Sequence, residues 1–277
     1  MTKTKIALSL ALLTAFAAPA AFAESGIASF NNNVAVSVGV GQSQYAEHIG
    51  NFTADSEKGT NPILGLSLSA QQSLPGVGAL YGQLDYSRAD GSVGYNGYLQ
   101  TSSGLVPLTT SSAYRVTDVG LKVGKPFALS EHYQLTPYVQ LGRREWDRTL
   151  RGTGGYDEAY SNDYYGVGVR SDFLVPHTDG KLLVSGNVGV SRNADVQLTA
   201  SALPGGLPDM SFGLGAHNRY DLGVAVHYKL LPSVAVFAGV DAMKTRFGAS
   251  AVNAYGLAEP SSSTEVLSAR VGAAYLF

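Results

Sequence analysis

The chain has 277 residues, a formal net charge of −2, 14% charged residues and no cysteine. The slight acidic balance argues against nucleic acid as a partner, and the missing cysteine excludes disulfides, thiolate catalysis and Cys-ligated metal sites. With 33 glycines, 16 tyrosines and 45% hydrophobic residues, the composition suits many short strands, either in a β-sandwich or in a barrel with an apolar, aromatic-banded exterior.

Lys3 and Lys5 precede an apolar run over residues 6–16, and Ala21-Phe22-Ala23 places small residues one and three positions before Glu24. This order of basic, apolar and small-residue segments predicts a secretory signal peptide over residues 1–23, leaving residues 24–277 as a single β domain. No later apolar run approaches the ~20 residues that a membrane helix needs. Residues 24–32, mostly polar or small, read as a lead-in.

Ten segments then alternate with the period of a strand. Val34, Val36, Val38 and Val40 share one face of the first, opposite Ala35, Ser37, Gly39 and Gly41; Leu64, Leu66 and Leu68 share one face of the second. The third carries Leu80, Leu84 and Tyr86, the fourth Val119, Leu121 and Val123, the fifth Leu135, Val139 and Leu141. In the sixth, Tyr165, Val167, Val169 and Phe173 align; in the seventh, Leu182, Val184, Val188 and Val190. Tyr220, Leu222, Val224, Val226 and Tyr228 align in the eighth, and Val234, Val236, Ala238 and Val240 in the ninth. Residues 48–61, 101–113, 150–161, 200–218 and 248–262 read as long loops, and the turns around residues 73–76, 129–132, 176–180 and 231–233 as short ones. That alternation predicts a transmembrane antiparallel up-and-down β-barrel of ten strands, with eight as the alternative count, long loops outside the cell and short turns in the periplasm.

The last strand places Leu267, Ala269, Val271, Ala273, Tyr275 and Phe277 on one face and ends on the aromatic. Apolar residues at every second position with Tyr275 two before a C-terminal Phe277 resemble the closing strand of bacterial outer-membrane β-barrels. Over the whole mature chain the pattern is similar to the porin-like group that includes the opacity proteins and the transmembrane part of OmpA-type proteins. The resemblance implies a place in the cell outer membrane, Tyr275 and Phe277 as the assembly signal, and the barrel-assembly machinery and outer-membrane lipids, including lipopolysaccharide, as partners of a monomer.

The faces opposite the apolar ones collect Asp85, Asp118, Lys122, Arg144, Arg170, Asp172, Asp221, His227, Lys229, Asp241 and Arg270. A barrel of about ten strands has a lumen that side chains nearly fill, so these charges are expected to pair and plug it. A small passive channel is the alternative. The charged run Arg143-Arg144-Glu145-Trp146-Asp147-Arg148 contains its own counter-charges and is expected to pair with neighbouring strands. A hydrolase is the less favoured reading. Against the patterns of the omptin proteases, Asp85 has no second acid two residues away and no Asp lies two before any histidine; the His-x-Ser pair of outer-membrane deacylases and phospholipases is missing as well. No catalytic, cofactor or metal residue is assigned. Function is therefore expected in the loops, binding a host or envelope ligand around Tyr156, Tyr160 and Tyr255 as candidate anchors.

Overall fold

The computed structural model describes residues 26–101, 104–152 and 154–277; the signal peptide read over residues 1–23 lies outside them. A single helical turn, α1 (Ala28–Asn31), precedes β1 (Asn33–Ile49), β2 (Phe52–Leu74), β3 (Gly78–Thr101), β4 (Gly104–Gly124), β5 (Phe127–Ala128) and β6 (Tyr133–Leu150). There follow β7 (Asp157–Leu174), β8 (Leu182–Ser201), β9 (Met210–Gly213), β10 (Gly215–Leu231), β11 (Val234–Gly248) and β12 (Ser261–Leu276). Each long strand pairs antiparallel with its neighbours, β1 pairs with β12 from Asn33↔Leu276 to His48↔Ser261, and β8 pairs with β10. The result is a closed, up-and-down barrel of ten long strands, the larger of the two counts read from the sequence. The short β5 is a bridge on β6, and β9 continues the line of β10 alongside the upper part of β8.

Closure explains why the alternation holds around the whole circuit. Successive side chains point to opposite faces, and a closed sheet has only an inside and an outside. Val34, Val36 and Val40 on β1, Leu64 and Leu66 on β2, Val139 and Leu141 on β6, Leu222 and Val224 on β10 and Val271 on β12 all face outward and exposed; Val38 has 58% of its surface free. A continuous apolar band of this kind would be heavily penalised in water and is solvated by hydrocarbon, so the barrel is built to sit in a bilayer. Just above the band the exterior turns ionic, with Arg88 to Asp90 at 2.9 Å, Arg115 to Asp90 at 3.1 Å and Arg143 to Asp163 at 3.3 Å, and with Lys244 paired to Glu265. The membrane-spanning part of each strand ends at this girdle.

The strands do not end there. From Val40, β1 continues to Ile49; at ~3.3 Å per residue and a tilt of ~40°, the sheet stands about 20 Å above the last outward valine of the apolar band. This corrects the long loops expected from sequence. Residues 48–61 are strand except for the turn at 50–51, β4 starts already at Gly104, β7 at Asp157, and β9 and β10 occupy most of 210–218. Among the described residues, 249–260 remain a loop of about the expected length. Ser, Thr and Gly-rich segments look like loops in isolation, but beside a neighbour that is already extended their backbone groups are best satisfied by joining the ladder.

The lead-in is also corrected. Ile27 and Phe30 are buried against Leu174 and Leu183 inside the periplasmic mouth, so the first described residues form a plug. Because Val38 lies within the apolar band, Val38→Arg is expected to lower the free energy of folding into lipid vesicles by about 2–4 kcal/mol, read by denaturant titration. A loss below about 1 kcal/mol would place this residue outside the hydrocarbon.

Candidate functional site

The lumen is crossed by side chains at three heights. At the floor, Arg170 donates from Nε to both oxygens of Asp172, at 3.0 and 2.9 Å, and from Nη2 to Oδ1 of Asn31 at 3.1 Å. Asn31 in turn donates to Oε1 of Gln71 at 2.9 Å, and the backbone N–H of Gln71 donates to Oδ1 of Asn32 at 2.7 Å. Lys229 reaches the hydroxyl of Ser29 at 2.5 Å and lies 4.4 Å over the ring of Phe30. His227 meets the Ser185 hydroxyl at 3.0 Å and the ring of Phe237, a structural contact in the wall above α1. The plug is thus held by polar side chains of β2, β7 and β10 together with two apolar residues of its own.

In the middle, Asp118 accepts from Arg219 at 2.8 Å, from Arg144 at 3.3 Å and from the Tyr164 hydroxyl at 2.8 Å. β4 and β10 stand on opposite sides of the circuit, so the Asp118–Arg219 pair spans the lumen. Arg219 also donates to Asp221 at 3.0 Å and stacks 4.2 Å over the Tyr164 ring. Tyr164 can lie along the wall because Gly142 stands beside it: a Cβ there would come 2.3 Å from the ring. Two further pairs flank this bridge, Asp85 with Lys122 at 3.6 Å and Asp241 with Arg270 at 3.0 Å. An unpaired charge in such a space would cost several kcal/mol, which is the physical reason for this pairing.

The roof lies above the girdle, outside the membrane. Arg148, 2% exposed, donates to Glu57 at 2.8 Å, Glu158 at 2.6 Å and Glu47 at 3.2 Å. Its guanidinium sits 5.0 Å from the ring of Tyr45 and 5.7 Å from that of Tyr95. Trp146 fills the space beneath, stacked on Tyr160 at 4.7 Å and edge-on to Tyr45 at 5.0 Å, and Tyr160 continues to Phe247 at 6.2 Å. The Tyr160 hydroxyl donates to Glu158 at 3.2 Å and lies 3.3 Å from the carboxyl of Glu259 in the 249–260 loop. Met210, Phe212 and Leu214 complete an apolar layer with Val196 and Leu198.

Three carboxylates around one guanidinium leave an excess of negative charge. Burial pushes the Glu47 carboxyl up to about 8, against the pull of Arg148. Glu158 and Glu259 are also raised, first by burial. The roof thus holds protons at neutral pH that free carboxylates would have lost.

The residues read from sequence as lumenal all line or border this interior. The roof itself was missed. Glu57 and Glu158 fell in segments read as loops and Glu47 at the very end of the first strand, although Tyr45 and Glu47 keep the inward parity of Ser37, and Glu57 that of Gly65. Arg219 had the same signal beside Asp221. The charged run of β6 splits by parity: Arg143 and Glu145 face out, Arg144, Trp146 and Arg148 face in. Tyr160, expected as a loop anchor, is 3% exposed inside the roof, because β7 extends through its position. Tyr156 is half-buried, and Tyr255 is exposed.

No protein-family model matches the chain, and no curated protein matches its sequence. Among solved structures, the outer membrane protease OmpT from Escherichia coli is similar at a TM-score of 0.56 and 10% identity, over 89% of this chain and 97% of that one. The β domain of the Bordetella autotransporter BrkA gives 0.42 at 14% identity, over 89% and 100%. Ail, the attachment invasion locus protein of Yersinia pestis, gives 0.32 at 12%, over 92% and 100%. At such identities the OmpT likeness is one of fold alone. Together with the closed sheet and its lipid-facing band, it defines the class: the chain is an outer-membrane β-barrel protein.

The roof carboxyls generate a pH dependence. Their folded-state values lie above the ordinary glutamate value of 4.5, so the stability they contribute is fully present below about 4.5 and is lost as pH rises through about 8. Trp146, the single tryptophan of the chain, is expected to shift its emission to the red between pH 6 and pH 9 as the ionised carboxylates repel one another. A spectrum unchanged over that range would mean that Glu47 and Glu158 are already ionised at neutral pH. Removing the cation by Arg148→Met is expected to cost about 3–5 kcal/mol, measured by denaturant unfolding in micelles.

Proposed function

We propose that this outer-membrane barrel is a monomeric, non-enzymatic surface protein that works through the sheet-built rim above the membrane, binding host or envelope molecules while its lumen serves as a polar core. The observation that carries the reading is the blockage of the lumen at three heights, by α1, by the Asp118–Arg219 bridge and by the Arg148 roof. A conducting pore needs a continuous water path, and a ten-stranded barrel has little width left once side chains cross it. The rim offers what the interior does not. Phe52 and Tyr255 are exposed, and the Phe52 ring lies 5.7 Å from that of Tyr98, giving aromatic anchors among adaptable Ser, Thr and Gly contacts. Lower down, the exterior Arg girdle lies at headgroup height, where lipopolysaccharide phosphates are the partner of matching chemistry.

The reading is tested by comparing three strains: wild type, a deletion, and one in which the 97–108 hairpin tip and the 249–260 loop are shortened while the barrel still assembles. Attachment to host cells or to envelope extracts is expected to fall equally in the two mutants. A phenotype confined to the deletion, such as leakiness or detergent sensitivity, would instead assign the function to the barrel itself. Purified protein in planar bilayers is expected to show no steady conductance, and reproducible open steps would favour the channel reading.

A further inference from the structure

Between floor and roof the lumen retains a cavity of about 320 Å³, within the size range of small-molecule pockets. Its walls are uneven. On the β1–β2 side the lining residues include Ala35, Ser37, Gly65, Ser67 and Ser69, so that wall is shallow and bears hydroxyls but no charge. A charged pair stands on each shoulder of it, Asp85 with Lys122 on β3 and β4, and Asp241 with Arg270 on β11 and β12.

These two pairs differ from the bridge between Asp118 and Arg219. In the bridge the side chains keep 12% and 11% of their surface free. Asp85 and Lys122 keep 32% and 23%, and Asp241 and Arg270 keep 31% and 40%. All four line the cavity, so the free surface is turned toward it. Asp85 and Lys122 are also further apart than a hydrogen bond allows, at 3.6 Å. Each shoulder therefore turns part of a cation and part of an anion toward the cavity, even though Arg270 also forks onto both oxygens of Asp241 at 2.8 and 3.0 Å, with the low Ser–Gly wall between them.

That pattern selects by charge. The lining charges balance once Asp172 is set against Arg170, so a solute with a net charge would leave one of them uncompensated in a closed, weakly polarisable space. A neutral polyol would satisfy neither shoulder. A solute carrying both signs engages both. We propose that the lumen cavity is a binding site for a small zwitterion, of amino-acid or dipeptide size, lying across the Ser37–Gly65–Ser67 wall with its carboxylate on Arg270 and its ammonium on Asp85. The guanidinium supplies a two-point contact to a carboxylate, and Asp85 accepts from an ammonium while remaining anchored by the Gln83 amide at 2.7 Å. The entrance is the periplasmic mouth, which among the described residues is closed by the turn of α1 and the side chains that hold it.

The site is independent of the rim and is tested without it. Folded protein in detergent micelles is titrated by calorimetry with glycylglycine, and separately with acetate, ethylammonium and glycerol. Saturable one-to-one binding is expected for glycylglycine alone, at least tenfold weaker in Arg270→Met and in Asp85→Asn and unchanged in the exterior variant Arg143→Met. Ser67→Leu fills the shallow wall without touching a charge, and it is expected to abolish binding even if a charge variant fails to fold. Folding of each variant is verified by heat-modifiable gel mobility. Absence of saturable glycylglycine binding to wild type, equal binding of acetate or glycerol, or unchanged binding in Ser67→Leu would overturn the assignment.

Discussion

The rest of the structure follows from one constraint: the outer face of every strand is committed to lipid, so every polar side chain within the membrane must find its partner inside a narrow cylinder. In a soluble protein Asp118 could turn to water. Here it is enclosed, and it is served by two guanidiniums and a tyrosine hydroxyl drawn from three other strands. Ten strands make this possible, because the lumen is narrow enough for Arg219 to reach across to β4. The core of this protein is therefore ionic where that of a soluble domain would be apolar. Where a charge is enclosed as Asp118 is, stability depends on its pairing, since a half-paired buried charge is worse than none.

The three levels answer this constraint with different chemistry. The floor borrows a segment of the chain itself, with Asn31 inserted among Gln71, Arg170 and Asp172. The middle is a cross-lumen ion pair with two looser pairs beside a low wall. The roof, above the membrane, adds aromatic stacking around Trp146 and gathers more carboxylates than cations around Arg148. Roof and floor thus differ in what would open them: ionisation loosens the roof, whereas displacement of a helical turn opens the floor.

The likeness to OmpT is a likeness of fold, and such a scaffold hosts unrelated functions. What distinguishes this chain is how its interior is filled and what its rim exposes, and both depend on side chains that a fold comparison at 10% identity does not weigh.

The class of protein was legible from residues alone. Period-two alternation and the short turns near Pro75, Pro176 and Pro232 point to a barrel, because alternation follows from the pleat of a strand and needs no knowledge of its neighbours. Inward parity likewise assigned Asp85, Asp118, Arg170 and Asp241 to the lumen. Three things were decided only by the tertiary structure. The upper strands extend through Ser, Thr and Gly-rich segments because an adjacent strand was there to pair with them. Ile27 and Phe30 form a plug because an open apolar mouth lay beside them. Arg148 gathers Glu47, Glu57 and Glu158 because closure of the barrel brings β1, β2, β6 and β7 around one space. Parity along a strand sets the side a residue faces; only the circumference and shear of the closed sheet set which residue it meets there.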